Sequence, residues 1–355
     1  MPQSACLKVP KKLGEKTIRL VADLDMFNRD YMIKQTESFL CIPLNAEPSA
    51  DILEELKKNL SSFEISIQEL VARKKTHFTH IDLLADKLSP TLLDTVPRAI
   101  DFVGDIAIVE IPSELSSYNK EIGEAILQAY NPTKTVLAKS GAVKGIYRTR
   151  EFELIAGINK TATVYREYGN VYHVDVAKAY FSPRLSSEHN RVAQAVKEGE
   201  TVVDLFAGVG PFAVPIAKNL KNVLVYAVDI NPDAVELLKK NILANRAEQQ
   251  IFPVLGDARQ VVKEQLAGKA DRMIMNLPET ALTFVDVACE ALKPEGGIIH
   301  YYSFMKDTDP LTVAKNELTK AVSKNGLQVE KFVLAKTVRE VSPYTWQVVV
   351  DAKIH

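Results

Sequence analysis

No apolar run in the 355 residues approaches the roughly 20 needed to cross a bilayer. The opening segment MPQSACLKVPKKLGEK has no apolar core of signal-peptide length, so secretion is not expected and the cytoplasm is the expected compartment. Cysteine is scarce: Cys6, Cys41 and Cys289 are odd in number, far apart and without a C-x-x-C pair. This argues against a disulfide framework and against a Cys-rich zinc site. The six histidines show no metal-ligand spacing. His77 and His80 lie three apart with no Cys or carboxylate cluster beside them and read as a surface turn, so no metal is expected. Charge of either sign is not in excess: the net charge is −1. A nucleic-acid footprint, if there is one, must be local. One stretch qualifies. Tyr130 to Arg150 has no acidic residue but carries Lys134, Lys139, Lys144, Arg148 and Arg150. A solvated basic face is the bland reading of the same run.

The length suits two or three domains. Residues 1–75 read as a small α/β unit, with a strand at Phe39–Leu44, an amphipathic helix at Asp51–Asn59 and a loop at Arg73–His77. Residues 76–180 read as a second small α+β domain. Strands flank the Gly104-Asp105 turn signal, a helix spans Ser113–Tyr130, and β-rich runs follow (TVLAKSG, REFELIAG, NVYHVDV). Residues 181–355 change rhythm: buried-strand runs alternate with helical segments, which predicts a doubly wound, Rossmann-like α/β domain. Trp346 and Tyr344 are expected to pack the sheet edge. In such folds ligands sit at the carboxyl ends of the strands.

The motifs fall at those ends. Asp204-Leu-Phe-Ala-Gly208-Val-Gly210-Pro211-Phe212 reads as strand, glycine turn and helix start. Glycines let a backbone approach a ligand closely, and Pro211 suits a first helical turn. Gly208-x-Gly210-x-x-Ala213 also meets a loose dinucleotide fingerprint. Asp229, 21 residues after Gly208, ends the next strand, where a carboxylate can accept from ribose hydroxyls. Three features favour S-adenosylmethionine over a nicotinamide cofactor. Asp204 can help hold an amino-acid end, Asp257 ends the third strand near an adenine amino group, and the fourth strand ends in Asn276-Leu277-Pro278. Each acid alone is equally a helix N-cap; their order along successive strands carries the reading. Asn276-Leu277-Pro278-Glu279 resembles the N-P-P-Y motif of amino-methyltransferases, except that Glu279 replaces the aromatic, so stacking of a base there is not assumed.

Phe181-Ser-Pro-Arg184-Leu-Ser-Ser-Glu188-His189 precedes this domain. A helix starting near Leu185 puts Glu188 in its first turn, where the helix dipole favours an acid, with Arg184 close enough to pair with it. These segments, together with Val-Asp229-Ile230-Asn-Pro-Asp-Ala, Gly-Asp257-Ala258-Arg and Gly145-Ile-Tyr-Arg148-Thr-Arg150, resemble the archaeal and eukaryotic type of tRNA (guanine-N1)-methyltransferase, which modifies guanosine 37 beside the anticodon. The resemblance covers roughly residues 97–350 with specific motifs and the first 75 only loosely.

The resemblance implies S-adenosylmethionine as methyl donor and tRNA as partner, bound at the anticodon loop and outer corner by a monomer. It implies Glu188 as proton acceptor, Arg148 on guanine O6 and Asn276 on target and cofactor. Asp229 with Ile230 and Asp257 with Ala258 match nucleoside-binding pairs. The position after the glutamate, often basic in the family, is His189 here; Arg184, Asp204, Gly208 and Gly210 complete the expected cofactor set. Residues 1–75 are expected to check the shape of the tRNA. Rivals are a wybutosine-pathway transferase that methylates a tricyclic guanosine derivative or moves an aminocarboxypropyl group, a non-catalytic module, and a protein-glutamine or DNA-amino methyltransferase.

Overall fold

In the computed structural model residues 3–72, 78–141 and 145–355 are described. The expected loop Arg73–His77 and Lys144 lie outside them. The chain divides into two compact units, Met1–Phe78 and Thr79–His355.

The first unit is a four-stranded antiparallel sheet with two helices. The elements are β1 (Gln3–Pro10), α1 (Gly14–Asp23), β2 (Lys34–Gln35), β3 (Phe39–Pro43), α2 (Ala50–Asn59) and β4 (Glu64–Glu69), in sheet order β2-β3-β1-β4. Leu7, Val9 and Ile42 alternate onto one face and meet Val21 of α1 and Leu56 of α2.

The second unit opens with α3 (His80–Leu84), α4 (Pro90–Thr95), β5 (Ile100–Val103), β6 (Ile106–Val109), α5 (Asn119–Ala129), β7 (Thr135–Lys139) and β8 (Phe152–Gly157), with sheet order β5-β6-β7-β8. The single helix expected over Ser113–Tyr130 begins as a 3-10 turn, Ser113–Tyr118. His80 is not on the surface. It is buried, with Nδ1 at 2.9 Å from the Tyr130 hydroxyl and Nε2 at 2.8 Å from the Pro97 carbonyl. A histidine satisfied at both nitrogens is a core group, and burial lowers its pKa. The hairpin β9 (Ala162–Glu167) and β10 (Asn170–Asp175) follows.

The remainder runs α6 (Ser186–Ala195), β11 (Thr201–Asp204), α7 (Ala213–Asn219), β12 (Leu224–Asp229), α8 (Pro232–Asn245), β13 (Ile251–Leu255), α9 (Ala258–Val261), β14 (Arg272–Met275), α10 (Val285–Ala291), β15 (Gly297–Met305), α11 (Pro310–Lys324), β16 (Val329–Ser342) and β17 (Thr345–Ile354). Seven strands form one sheet in the order β13-β12-β11-β14-β15-β17-β16. Pairing is parallel up to β15, and β17 is antiparallel to both β15 and β16. The order reverses between β11 and β14, which opens a crevice at the strands' carboxyl ends.

Period-2 alternation divides the core. Ile106 and Ile108 of β6 face a core shared with Val202, Phe212 and Tyr302, while Ala107 and Val109 face α3 to α5. One face of the middle segment's sheet thus shares a core with the C-terminal segment, while its other face has a core of its own. The β9–β10 hairpin is tied to α8: the amide of His173 donates to Asn241 Oδ1 at 2.6 Å and that of Val171 to Asn245 Oδ1 at 2.9 Å. Asn241 Nδ2 also donates to the Val209 carbonyl at 2.9 Å, which fixes the glycine turn from behind. Trp346 packs against the sheet core, but Tyr344 does not: it sits at positive φ in the β16–β17 turn and is 85% exposed.

Candidate active site

The crevice is a cavity of about 480 Å³ in the second unit. Its wall includes Arg148, His189, Gly208, Asp229, Ile230, Asp257, Ala258 and Asn276. Eight of the twelve residues expected from sequence therefore meet at one place. They come from a loop before β8, from α6, and from the ends of β11, β12, β13 and β14.

The glycine turn follows from local rules. Gly208 has φ +55° and Gly210 φ +90°, backbone that favours glycine. Their reasons differ. A Cβ on Gly208 would have only the Tyr180 carbonyl within 4 Å, at 3.7 Å, and the residue faces the cavity. A Cβ on Gly210 would lie 2.5 Å from Leu238 Cδ1, so Gly210 serves packing against α8 and is not on the cavity wall. Asp229 holds the turn directly: its Oδ2 accepts from the Gly208 amide at 2.6 Å and its Oδ1 from Asn231 at 2.9 Å. Burial pushes its carboxyl up, against the backbone bonds that pull it down. Asn231, not Asp229, caps α8, whereas Asp257 both caps α9 and lines the cavity.

Asp204 lies beneath the wall. It is fully buried, with Oδ1 accepting from the Phe206 amide at 3.3 Å and Oδ2 without a partner. Burial drives its carboxyl up to about 7. Asn276 Oδ1 is a second buried acceptor without a partner, and Asn276 is on the wall. Phe206 and Phe284 add an edge-to-face pair at 5.0 Å. Uncompensated acceptors and aromatic faces suit a ligand rich in donors and positive charge.

Arg184 is a correction. Its Nε donates to Asp101 Oδ1 of β5, so it neither pairs with Glu188 nor lines the cavity. Glu188 is 1% exposed and one layer behind the wall, next in sequence to the wall residue His189. Its Oε2 accepts from Arg191 Nε at 3.0 Å and from the Tyr302 hydroxyl at 3.0 Å, and its Oε1 lies 2.5 Å from Lys336 Nζ. Burial pushes this carboxyl up, but Arg191 and Lys336 outweigh it and hold it below the usual glutamate range. His189 is buried, with Nδ1 at 2.8 Å from Glu167 Oε1 and its ring edge-on to Phe212 at 4.8 Å. Arg148 reaches across to the loop after β14, where Nη1 meets Glu279 Oε2 at 2.7 Å and Nη2 meets Oε1 at 3.1 Å.

Sequence reasoning missed Arg339 and Gln347, joined at 2.8 Å and both on the wall. They belong to the antiparallel β16–β17 pair, which carries no turn or glycine signal at those positions. It also missed Lys336 and Asp351, which act through tertiary contact alone. Among the described residues no group of three or more His, Cys, Asp or Glu is arranged to hold a metal ion, and no helix is long and apolar enough to cross a membrane.

Comparison with known proteins adds the following. Residues 163–330 match the TRM5/TYW2 methyltransferase domain, residues 81–161 the TYW2 N-terminal domain, and residues 6–52 the tRNA methyltransferase 5 N-terminal domain. The chain is 39% identical over 351 residues to tRNA (guanine(37)-N(1))-methyltransferase Trm5b of Pyrococcus abyssi, covering 98% of each. The crystal structure of that protein superposes with a TM-score of 0.75 over 99% of both chains at 36% identity. The complex of aTrm5 with tRNALeu superposes with a TM-score of 0.68 over 99% of both chains, also at 36% identity. A relative with other chemistry is tRNA 4-demethylwyosine(37)-methyltransferase Taw21 of Saccharolobus solfataricus, 34% identical over 265 residues, 72% of this chain and 94% of that one.

Proposed function

The chain belongs to the TRM5/TYW2 family of tRNA-modifying methyltransferases, and from that premise we propose that it transfers a methyl group from S-adenosylmethionine to N1 of guanosine 37 in tRNA. The observation that carries the reading is one cavity in which Arg148, Asn276 and the strand-end acids Asp229 and Asp257 meet.

The acceptors fit that cofactor. Asp229 and Asp257 on the cavity wall are carboxylates able to accept from ribose hydroxyls and an adenine amino group, and the unpartnered Asp204 Oδ2 and Asn276 Oδ1 call for donors or a cation. When bound, S-adenosylmethionine supplies an electrophilic methyl group on a sulfonium. Gly208 lets the backbone lie close to it, and Phe206 and Phe284 exclude water from one side.

N1 of guanine carries a proton at neutral pH, so the attacking nitrogen needs a base, and charge develops on O6 as the proton leaves. Arg148 is the group assigned to O6, since a guanidinium on the wall can meet that charge. Glu188 is the assigned proton acceptor. It is held ionised by Arg191 and Lys336, the state a base requires. Glu188 is not on the cavity wall, so its carboxylate must turn away from Lys336 to reach the cavity. Asn276 accepts from the target base or from the cofactor's amino group. The Trm5 N-terminal match at residues 6–52 supports a tRNA-shape role for the first unit and favours simple N1 methylation over the Taw21-type reaction.

The test is incubation with tritium-methyl S-adenosylmethionine and transcripts bearing G or A at position 37, with mass spectrometry of the digested product. Label in N1-methylguanosine from the G37 transcript alone is expected. An aminocarboxypropyl mark, or methylation only of a tricyclic precursor, would replace this reading with the wybutosine one.

A further inference from the structure

Two charged residues on the cavity wall satisfy each other: Arg148 and Glu279 share a two-pronged ion pair, each guanidinium nitrogen on its own carboxylate oxygen, at 2.7 and 3.1 Å. The partners stand 131 residues apart. Arg148 is held in left-handed backbone at φ +53°, a conformation unfavourable for a residue with a side chain. Its side chain is 24% exposed and that of Glu279 54%, so the pair stands at the solvent side of the wall. The fork therefore already faces a planar acceptor with two oxygens side by side.

We propose that Glu279 is a placeholder that occupies the Arg148 fork until a guanine offers O6 and N7 in its place, so that the free energy of opening the pair is subtracted from the binding of the target base. The proposal rests on the assignment of Arg148 to guanine O6. Any base that enters must first separate Arg148 from Glu279. Guanine presents two neighbouring acceptors, O6 and N7, to which an arginine bonds side-on. Two hydrogen bonds are given up and two are regained. Adenine presents a donor at N6 beside the N7 acceptor, so one Arg148 N–H loses its carboxylate oxygen and faces another donor. Breaking the pair costs every base the same, and only guanine recovers it. Selection of guanine over adenine thus comes from the Arg148 fork itself, while Glu279 lowers the affinity for either base by the same amount. An aromatic at position 279 could stack but could not hold the fork. The glutamate there is a change of function rather than a lost stacking platform.

The experiment measures Kd of G37 and A37 transcripts, with S-adenosylhomocysteine present, for wild type, Glu279→Gln, Glu279→Ala, Arg148→Lys and the Arg148→Lys/Glu279→Ala double variant, together with kcat and KM on G37. Partly exposed pairs are weak. Glu279→Ala is therefore expected to tighten G37 binding about two- to five-fold and to lower KM by the same factor, with kcat within about two-fold. Glu279→Gln should fall between it and wild type. In the Arg148→Lys background, where the two-pronged fork is gone, Glu279→Ala should change Kd by less than about 1.5-fold. A 7-deazaguanosine at position 37, which lacks the N7 acceptor, should bind wild type several-fold more weakly than guanosine. Unchanged Kd in both Glu279 variants overturns the proposal. So does a kcat loss above about ten-fold at constant KM, which would make Glu279 a group acting on the reacting atoms. Binding without methylation of wild-type G37 would sink the parent reading while leaving this one to its Kd values, and binding of neither transcript would end both.

Discussion

Replacing Asp204 with asparagine should make the protein more stable at alkaline pH, although it removes a residue expected at the cofactor site. The carboxyl is fully buried, one oxygen has no partner, and burial raises it from 3.8 to about 7, with the Phe206 amide opposing and the Asp229 charge adding. Between those two values the folded state keeps a proton that the unfolded chain has released. Stability from this group is therefore complete below about pH 4 and is lost as pH rises toward and past 7. A difference of about three units is worth about 4 kcal/mol, and in a unit of this size that corresponds to roughly 10 °C in Tm. The asparagine side chain cannot ionise and escapes the loss. Asp229 is shifted in the same direction and His300 is lowered by burial, but both are present in the two proteins and cancel in the comparison. Glu188 and Asp351 are shifted down, so their contributions change only as pH falls below the ordinary carboxylate range, outside the window. The assay is Tm against pH from about 4 to about 8.5 for both proteins without cofactor, a range that spans the interval over which the loss accrues. The wild-type curve should fall away from that of Asp204→Asn as pH rises. Parallel curves would refute the reasoning. If the ionised carboxylate accepts from the cofactor's ammonium, as the proposed site requires, S-adenosylhomocysteine added to the same proteins should raise the Tm of wild type more than that of the variant at the alkaline end.

Glu188→Gln should lower single-turnover methyl transfer about 10²-fold or more while leaving cofactor Kd unchanged, and near-normal turnover would remove Glu188 from the mechanism. The two glycines of the turn should separate by assay. Gly210→Ala, whose Cβ would fall 2.5 Å from Leu238 Cδ1 at φ +90°, should destabilise the fold by about 1–3 kcal/mol. Gly208→Ala, with 3.7 Å of clearance, should cost only the backbone strain of about 1–2 kcal/mol but weaken cofactor binding about ten-fold, since its methyl enters the cavity. Calorimetry against cofactor titration reads the two, and the reverse ranking would show the turn facing the other way.

Much of the site was legible because its signals are local. A buried-strand run, a glycine turn and a polar strand end are adjacent in sequence, so Gly208, Asp229, Asp257 and Asn276 could be placed from the alternation of strands and helices. What was misread depends on partners far along the chain. Nothing near His80 announces Tyr130, and nothing near Arg184 announces Asp101 in another sheet, so proximity in sequence suggested Glu188 as its partner. Gly210 looked like Gly208 because both read as ligand-approach glycines, and only the packing of Leu238 distinguishes them. Tyr344 reads as a sheet aromatic by composition, but the turn between β16 and β17 throws it into solvent. Arg148 and Glu279 were each visible, while their pairing was not, since no local rule reaches across 131 residues.

The surroundings of Glu188 constrain how it could serve as a base. Its Oε2 is fixed by groups that are themselves fixed. Arg191 also donates to Asp351 at 2.5 Å, Asp351 Oδ1 lies 2.7 Å from His300 Nδ1, and His300 Nε2 lies 2.9 Å from an Arg272 that is clamped by Glu200. Most of these side chains are nearly fully buried, and removing one partner of a buried ion pair leaves an uncompensated charge. That half of the carboxylate is therefore an anchor. Its Oε1 is held differently, by Lys336, whose side chain is 39% exposed. An ammonium with access to water can exchange a carboxylate for solvent at far lower cost than Arg191 can. The same exchange removes one of the two charges that hold the Glu188 carboxyl down, and so raises its basicity. If Glu188 serves as the base, freeing the oxygen and strengthening it as a proton acceptor would thus be one event, with Lys336 as the tether whose release produces both.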